Sequence, residues 1–333
     1  MIIQNNSYII MKLSRLITYL NKVKNNINML SRNEHINKVW LYLDYIFAYI
    51  KHGCLINQYT KGHFYLNGEI IRSKAFTQRR LEKIIRISND PNYVHYLINK
   101  NEFNIYFNEF IERSFLYSKT MTQSEFERIF NNNDAIFVKP IDAQEGEGIF
   151  KVDTNTCICS ELYNDLKTKN VIIETIIKQH PKLMLGNASI NSARVLTVLD
   201  KQGEAHIVRV GLRAGVGQSI VDNYSAGGVL YEVDTETGII DHKGIQGDNY
   251  NIVFHPGTNT CMLGFQLPNY DILKKVVKKA HKSIPQCRFI GWDVAFTEHG
   301  IELIEGNHNP GIFTLESIGT PGAYFDVLNI LNN

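Results

Sequence analysis

Three oxygen-bearing side chains, Asp293, Glu305 and Asn307, have a spacing that suits a bound divalent cation. They fall in FIGWDVAFTEHGIELIEGNHNPG, residues 289–311, which reads as two apolar strands about the turn Glu298-His299-Gly300. With that turn, Thr297 is expected to pair with Ile301, and Asp293 to fall opposite Glu305. Side chains alternate across a strand, so both carboxylates are expected on one face with Cβ atoms about 5 Å apart, and Asn307 follows Glu305 there. Opposed carboxylates repel unless a cation compensates them. Hard oxygen ligands with room left for phosphates match magnesium. The competing reading is a solvated hairpin whose acids keep an edge soluble. Against it stand Trp292, Val294, Phe296, Leu303 and Ile304, which mark both strands as core.

Several upstream residues suit anionic or nucleotide ligands. Phe137 to Ile149 reads as strand, loop, strand, with Lys139 at a strand end and Gly146 and Gly148 in the loop. It is neither a Walker A loop nor a dinucleotide fingerprint, but a lysine beside backbone amides can clamp a polyphosphate. An ordinary hairpin is as good a reading locally. Glu174 ends the strand Val171-Ile172-Ile173 and could accept from an adenine amino group or a ribose hydroxyl, or be an ordinary strand-end acid. Arg194 and Arg213 lie in strands of Val, Leu, Ile and Thr, where an unpaired guanidinium is costly. Each therefore needs an anion, either a structural carboxylate or a phosphoryl group held by a planar fork. The glycine-rich run 211–228, with Asn223, reads as an adaptable loop. His180 and His255 suit substrate contacts or structural hydrogen bonds equally.

The elements that must position these residues divide the chain in two. Up to about residue 130 the spacing is helical, as in Leu13, Leu16, Ile17 and Leu20, and in Leu81, Ile84 and Ile85. The basic residues there, Arg72, Arg79 and Arg80 among them, read as a solvated helix face. Beyond residue 135, β-rich runs separated by turns replace the helices: 135–139, 149–153, 171–174, 193–200, 205–213, 229–233 and the hairpin 289–304. An antiparallel sheet is expected. One helix interrupts it, Tyr270 to Ser283, with Ile272, Leu273, Val276, Val277 and Ala280 on its buried face.

Composition bounds the function. The 333 residues carry a net charge of +2, too little field to argue for nucleic acid. Five cysteines form no CxxC pair, so neither structural zinc nor a disulfide framework is expected. The first twenty residues lack a signal-peptide pattern, and the apolar stretch Leu41–Ile50 is too short to span a bilayer. A cytoplasmic protein without a membrane span is expected.

In chain order, the sequence carries Asn99-Lys100 before Phe103 and Phe107, Arg113, Val138-Lys139-Pro140 with Gly146 and Gly148, Ile173-Glu174, and Gln179-His180. There follow Ile190-Asn191-Ser192-Ala193-Arg194, Arg213, Asp222-Asn223 with Gly227-Gly228, Gly291-Trp292-Asp293, and Glu305-Gly306-Asn307. This series resembles the ATP-grasp proteins, and among them the sugar-transfer-associated ATP-grasp proteins of bacterial polysaccharide gene clusters. The resemblance covers about residues 95–315. Upstream, helices stand where the amino-acid ligases of the superfamily carry an α/β domain.

The resemblance implies an α+β ATP-grasp fold, two α+β subdomains gripping ATP after a mainly helical N-terminal region. Residues 1–98 would be that region, with acceptor binding a role open to it. Residues 99–185 would be the small subdomain and 186–333 the large one with the metal site. Lys100 and Lys139 would lie on the ATP phosphates beside the glycine loop, Glu174 in the adenine and ribose hinge, and Arg194 and Arg213 at the γ-phosphate. Asp293, Glu305 and Asn307 would hold one or two magnesium ions, with Asn223 and His255 on the substrate side. The implied activity is an ADP-forming carboxylate–amine ligase using an acyl phosphate, joining an amino acid or amine to a sugar carboxylate in surface-polysaccharide synthesis. A kinase phosphorylating a hydroxyl and a non-catalytic ATP-binding protein are the alternatives. Small carboxylate and amine substrates are the expected partners, sugar-linked ones included.

Overall fold

The computed structural model describes residues 2–141, 147–186, 189–217, 227–247, 249–311 and 322–333, with side chains for all of these except 2–12, 61 and 250. The chain divides into two compact units, Met1–Lys83 with Glu316–Phe325 and Ile84–Leu315 with Asp326–Asn333.

The first unit is helical, with α1 (Ile2–Asn33), α2 (Lys38–His52), α3 (Ile56–Lys61), α4 (Glu69–Lys74) and α5 (Gln78–Ser88), the last running on into the second unit. Asn37 caps α2 by accepting from the amides of Val39 and Trp40, and Gly53 closes it with φ +70. That left-handed backbone, with Arg79 packed where a Cβ would stand, requires glycine. Val23, Ile27 and Leu30 of α1 share a core with Leu41, Tyr45 and Ala48 of α2 and Tyr59 of α3. Arg72 departs from the solvated face expected of it. It is buried, and its guanidinium forms a fork on Asp44 at 2.7 and 2.9 Å.

The second unit begins with α6 (His95–Ile98) and α7 (Lys100–Tyr106). There follow β1 (Phe115–Tyr117), α8 (Gln123–Asn131), β2 (Ala135–Pro140), β3 (Phe150–Asp153), α9 (Cys159–Thr168) and β4 (Val171–Thr175). Next come β5 (Ser192–Leu199), β6 (Ala205–Ala214), β7 (Val229–Val233), β8 (Gly244–Gln246), β9 (Asn249–Ile252), α10 (Tyr270–Ser283), β10 (Phe289–Phe296), β11 (Ile301–Asn307) and α11 (Tyr324–Asn332). Two antiparallel sheets result, one in the order β1-β4-β2-β3 and one in the order β11-β10-β5-β6-β7-β8-β9.

On the small sheet, Phe126, Ile129 and Phe130 of α8 and Leu166 of α9 cover Ile136, Val138, Val152 and Ile173. On the large sheet, Leu273, Val277 and Ala280 of α10 pack with Ile290, Trp292 and Val294 of β10 and Val195 of β5. The helix has the expected bounds, but its buried face is rotated. Ile272 is 40% exposed and His281 is fully buried in its stead. The α+β architecture with a helical N-terminal region matches the expectation from sequence. Among the described residues no helix is long and apolar enough to cross a membrane.

Candidate functional site

The β10–β11 hairpin differs in register from the reading above and still brings the same residues together. At the tip, Phe296 rather than Thr297 pairs with Ile301, and Thr297 closes the turn by donating its amide to Gly300. This shortens the ladder by one residue. A bulge between Asp293 and Val294 then restores it, so that Asp293 does lie opposite Glu305. The alternating apolar pattern leaves such a compensating pair of shifts invisible.

A row of charged side chains crosses the large sheet from this point. Glu305 on β11 lies opposite Asp293 on β10, which lies opposite Arg194 on β5. Arg194 faces Gly211 on β6, and Arg213, two residues on, pairs opposite Ser192. With no side chain at Gly211, the Arg213 guanidinium can reach across β5. It sits 2.6 Å from Asp293 Oδ2 and donates to Ser192 Oγ at 2.8 Å. Arg194 forms its own fork on Asp293 and donates to the Pro310 carbonyl at 2.7 Å. Gly291 makes room for that proline, since a Cβ there would stand 2.4 Å from Pro310 Cβ. Asn307 completes the group, its amide 3.2 Å from Glu305 Oε1.

Electrostatics separates the two carboxylates. Burial would raise the Asp293 carboxyl, but Arg194 and Arg213 outweigh it and bring it down to about 2. Glu305 moves the other way, pushed up by burial and by the charge of Asp293 hydrogen-bonded to it. Two carboxyl groups and one carboxamide thus meet on one face, and among the described residues Glu305 forms no ion pair while Asp293 forms two. The donors are all hard oxygens, so the set fits magnesium.

Facing residues of the small sheet belong to a second network. Glu174 on β4 is 2% exposed and carries an ion pair with Lys139 on β2, a 2.8 Å bond from Asn104 on α7 and a 3.2 Å contact with Arg113 Nε. Burial raises its carboxyl, but Arg113 and Lys139 together hold it down at about 2. The acid expected in a nucleotide hinge is therefore already engaged by protein groups. Arg113 also donates to Glu302 Oε1 at 2.7 Å and to the carbonyls of Leu303 and Ile304 on β11. One guanidinium so ties the edge of the large sheet to the small one.

Lys100 opens α7, with Nζ 3.4 Å from the carbonyl of Ile141, directly after β2. Gly148 has φ +69, and a Cβ there would meet Pro140 Cγ at 2.9 Å, so this position requires glycine. Gly146 and Asn223 lie outside the described residues. The two expected histidines take structural positions. His255 is fully buried, its Nε2 donating to the Gly215 carbonyl at 3.0 Å and its Nδ1 accepting from the Gly257 amide, which leaves no ring atom for a substrate. His180 accepts the Lys182 amide at the start of a short turn. The Gln179 side chain donates to the Asn191 carbonyl and accepts the Asn191 amide, and Asn191 Oδ1 accepts the Gly215 amide at 2.7 Å, fixing the start of the strand that carries Arg194.

The sequence reading assigned no role to Asn104, Arg113 or Glu302. A polar residue within an apolar run, such as Glu302 between Ile301 and Leu303, was the available signal.

A family model described as sugar-transfer associated ATP-grasp matches residues 82–327. No curated protein sequence matches the chain. Among solved structures, the ATP-grasp ligase PsnB with a phosphomimetic variant of its minimal precursor, Mg and ADP is similar at 12% identity and a TM-score of 0.40, over 67% of this chain and 52% of that one. D-alanyl-alanine synthetase A from Vibrio cholerae is similar at 14% identity and a TM-score of 0.44, over 74% and 68% of the two chains. The L-amino acid ligase from Bacillus licheniformis is similar at 15% identity and a TM-score of 0.38, over 70% and 43%. The chain spans about half the length of the PsnB structures it matches.

Proposed function

Because the chain belongs to the sugar-transfer associated ATP-grasp family, we propose that it is an ATP- and magnesium-dependent carboxylate–amine ligase whose centre is the row Arg213, Arg194, Asp293, Glu305 and Asn307. One observation carries this reading: the Arg194 guanidinium, as a fork, and the Arg213 guanidinium, through one contact, converge on buried Asp293 at the point where Glu305 and Asn307 add hard oxygen donors. Such a site can neutralise a phosphoryl group on one side and hold magnesium on the other. Asp293, Glu305 and Asn307 are the magnesium ligands. The ion contributes neutralisation of charge on the phosphate oxygens.

In this reading residues 99–185 and 186–333 are the two subdomains that grip the nucleotide. Lys100, Lys139 and the loop closed by Gly148 bind the ATP phosphates. Lys139 leaves Glu174 for a phosphate, while Arg113 continues to neutralise Glu174. An acceptor carboxylate oxygen attacks the γ-phosphorus and the bond to ADP breaks, leaving an acyl phosphate. Arg194 and Arg213 orient and neutralise the transferring oxygens. An amine nitrogen then attacks the acyl carbon, phosphate departs with the C–O bonding pair, and the nitrogen loses a proton to give the amide. The acceptor carboxylate is a sugar acid and the amine an amino acid or similar group, the family's association with sugar transfer being the support for the sugar; the setting is cytoplasmic synthesis of surface polysaccharide.

Thermal-shift titration with ATP and magnesium tests the site. Stabilisation that needs magnesium is expected in the wild type and lost in Glu305→Gln with Asn307→Ala, which leave Asp293 to pair both arginines. A folded wild type that shows no stabilisation removes the ATP reading. ADP release that requires both a carboxylate and an amine identifies the ligase. A stable phosphorylated product formed without an amine identifies a kinase instead, and nucleotide binding without turnover a non-catalytic protein.

A further inference from the structure

The apolar stripe of α1 outruns its partners. Leu13, Leu16, Ile17 and Leu20 continue the i, i+3, i+4, i+7 line of Val23, Ile27 and Leu30, which pack into the core of the first unit. The first four are instead 52 to 57% exposed, so two helical turns of apolar surface have no cover among the described residues. The next helix repeats the pattern differently. α2 buries Leu41, Tyr45 and Ala48 on one side, and on the other exposes Val39, Leu43, Ile46 and Ile50, flanked by Trp40 and Phe47.

Charge selects what covers these faces. Over its 32 residues α1 carries Lys12, Arg15, Lys22, Lys24 and Arg32 and no acid at all. The one acid of α2, Asp44, is held inward by Arg72, while Lys38 at its start is exposed and Lys51 at its end pairs with Glu69 at 2.6 Å. A second copy of the chain would bring basic helix against basic helix, with the one carboxylate they hold, Asp44, already engaged by Arg72. An anionic lipid surface supplies both needs, apolar depth for the leucines and isoleucines and negative headgroups for the cations. Trp40 suits the boundary between the two, with an apolar ring and an N–H donor.

We propose that the helical first unit docks on the surface of an anionic bilayer, lying in the headgroup layer through α1 and the outer face of α2 without spanning it. Unit one carries none of the nucleotide residues, so this docking stands or falls independently of the ligase reading.

The test is co-sedimentation of the full chain with phosphatidylglycerol-rich vesicles and with pure phosphatidylcholine vesicles. Binding to the anionic vesicles is expected, weakening as salt is added. Leu16→Glu with Ile17→Glu, and separately Leu43→Glu with Ile46→Glu, are expected to weaken it at least about tenfold. Arg15→Gln with Lys22→Gln is expected to weaken binding to anionic vesicles alone. All these positions are exposed, and an unchanged far-ultraviolet circular dichroism spectrum checks the fold of each variant. Wild-type protein that stays in the supernatant with both vesicle types overturns the proposal. So does a wild-type dimer in light scattering that the same glutamate pairs dissociate while vesicle binding is absent, which would assign the faces to a second copy.

Discussion

Thr197 is fully buried and accepts the indole N–H of Trp292 at 2.8 Å, with its hydroxyl 2.6 Å from Nδ1 of His281. The Cys287 carbonyl, 2.8 Å from Nε2, can only accept, so Nε2 carries the ring hydrogen and Nδ1 accepts from the Thr197 hydroxyl. Complete burial pushes the imidazole down to about 3, well below its ordinary value of 6.5. The folded protein therefore keeps His281 neutral while the unfolded chain takes up a proton below the ordinary value. Stability from this residue is complete above pH 6.5 and declines as the pH falls, by about 2 kcal/mol at pH 5. Urea unfolding at both pH values should show this loss in the wild type and a flatter dependence in His281→Gln, which can still accept from Thr197 and donate to Cys287. A slope unchanged by the substitution would place the proton uptake elsewhere. None of this relay is legible in the sequence, because its four members are spread from residue 197 to residue 292 and each reads as an ordinary helix or strand residue. Asp293, Glu305 and Asn307 were legible because strand alternation alone aligns them within one hairpin. Arg194 and Arg213 were legible as cations needing an anion, although not that both would share Asp293.

Between elements, Arg113 is the principal tie from β4 and α7 to β11. Its guanidinium satisfies Glu302 and two strand carbonyls on one side, and Asn104 and Glu174 on the other. Removing it takes the cation from buried Glu302 and leaves buried Glu174 to Lys139 alone. Arg113→Met is expected to cost about 3–5 kcal/mol, and Glu302→Gln in the same chain to restore part of that loss, because the second change removes one uncompensated charge. Denaturant midpoints of the two single variants and the double variant check this, and strict additivity would deny the pairing. The long β-rich runs were readable as strands from their Val, Ile and Leu content. β1, β8 and β9 were not, since three or four residues carry too little alternation to stand out, and Gly244 lowers the strand signal further. Gly244 is tolerated in β8 because Tyr231 lies where its Cβ would be, 2.5 Å from ring carbon Cε1. The tip of the β10–β11 hairpin differs by one pair from the sequence expectation because the bulge cancels the slip before it reaches Asp293.

At the scale of the molecule, the chain separates its cores. One gathers residues from Val23 to Ala75, and the large-sheet core gathers residues from Leu97 to Leu303. Ligand effects should follow that separation. Hydrogen exchange with ATP and magnesium present is expected to slow the amides of β10, β11 and the end of β2, and to leave the Val23–Ala75 core unchanged. Protection confined to the first unit would relocate the nucleotide. The net charge of +2 for the whole chain concealed a helix with five cations and no acid, because a sum over 333 residues averages such an element away. The same division distributes the two tryptophans, one to each unit. Trp40 stands 46% exposed on α2, whereas Trp292 on β10 is fully buried with its N–H bonded to Thr197. Their fluorescence will therefore differ in colour and in access to dissolved quenchers. The unlabelled chain thus carries two intrinsic optical probes, Trp40 reporting what settles on the helices and Trp292 whether the sheet beneath the site is intact.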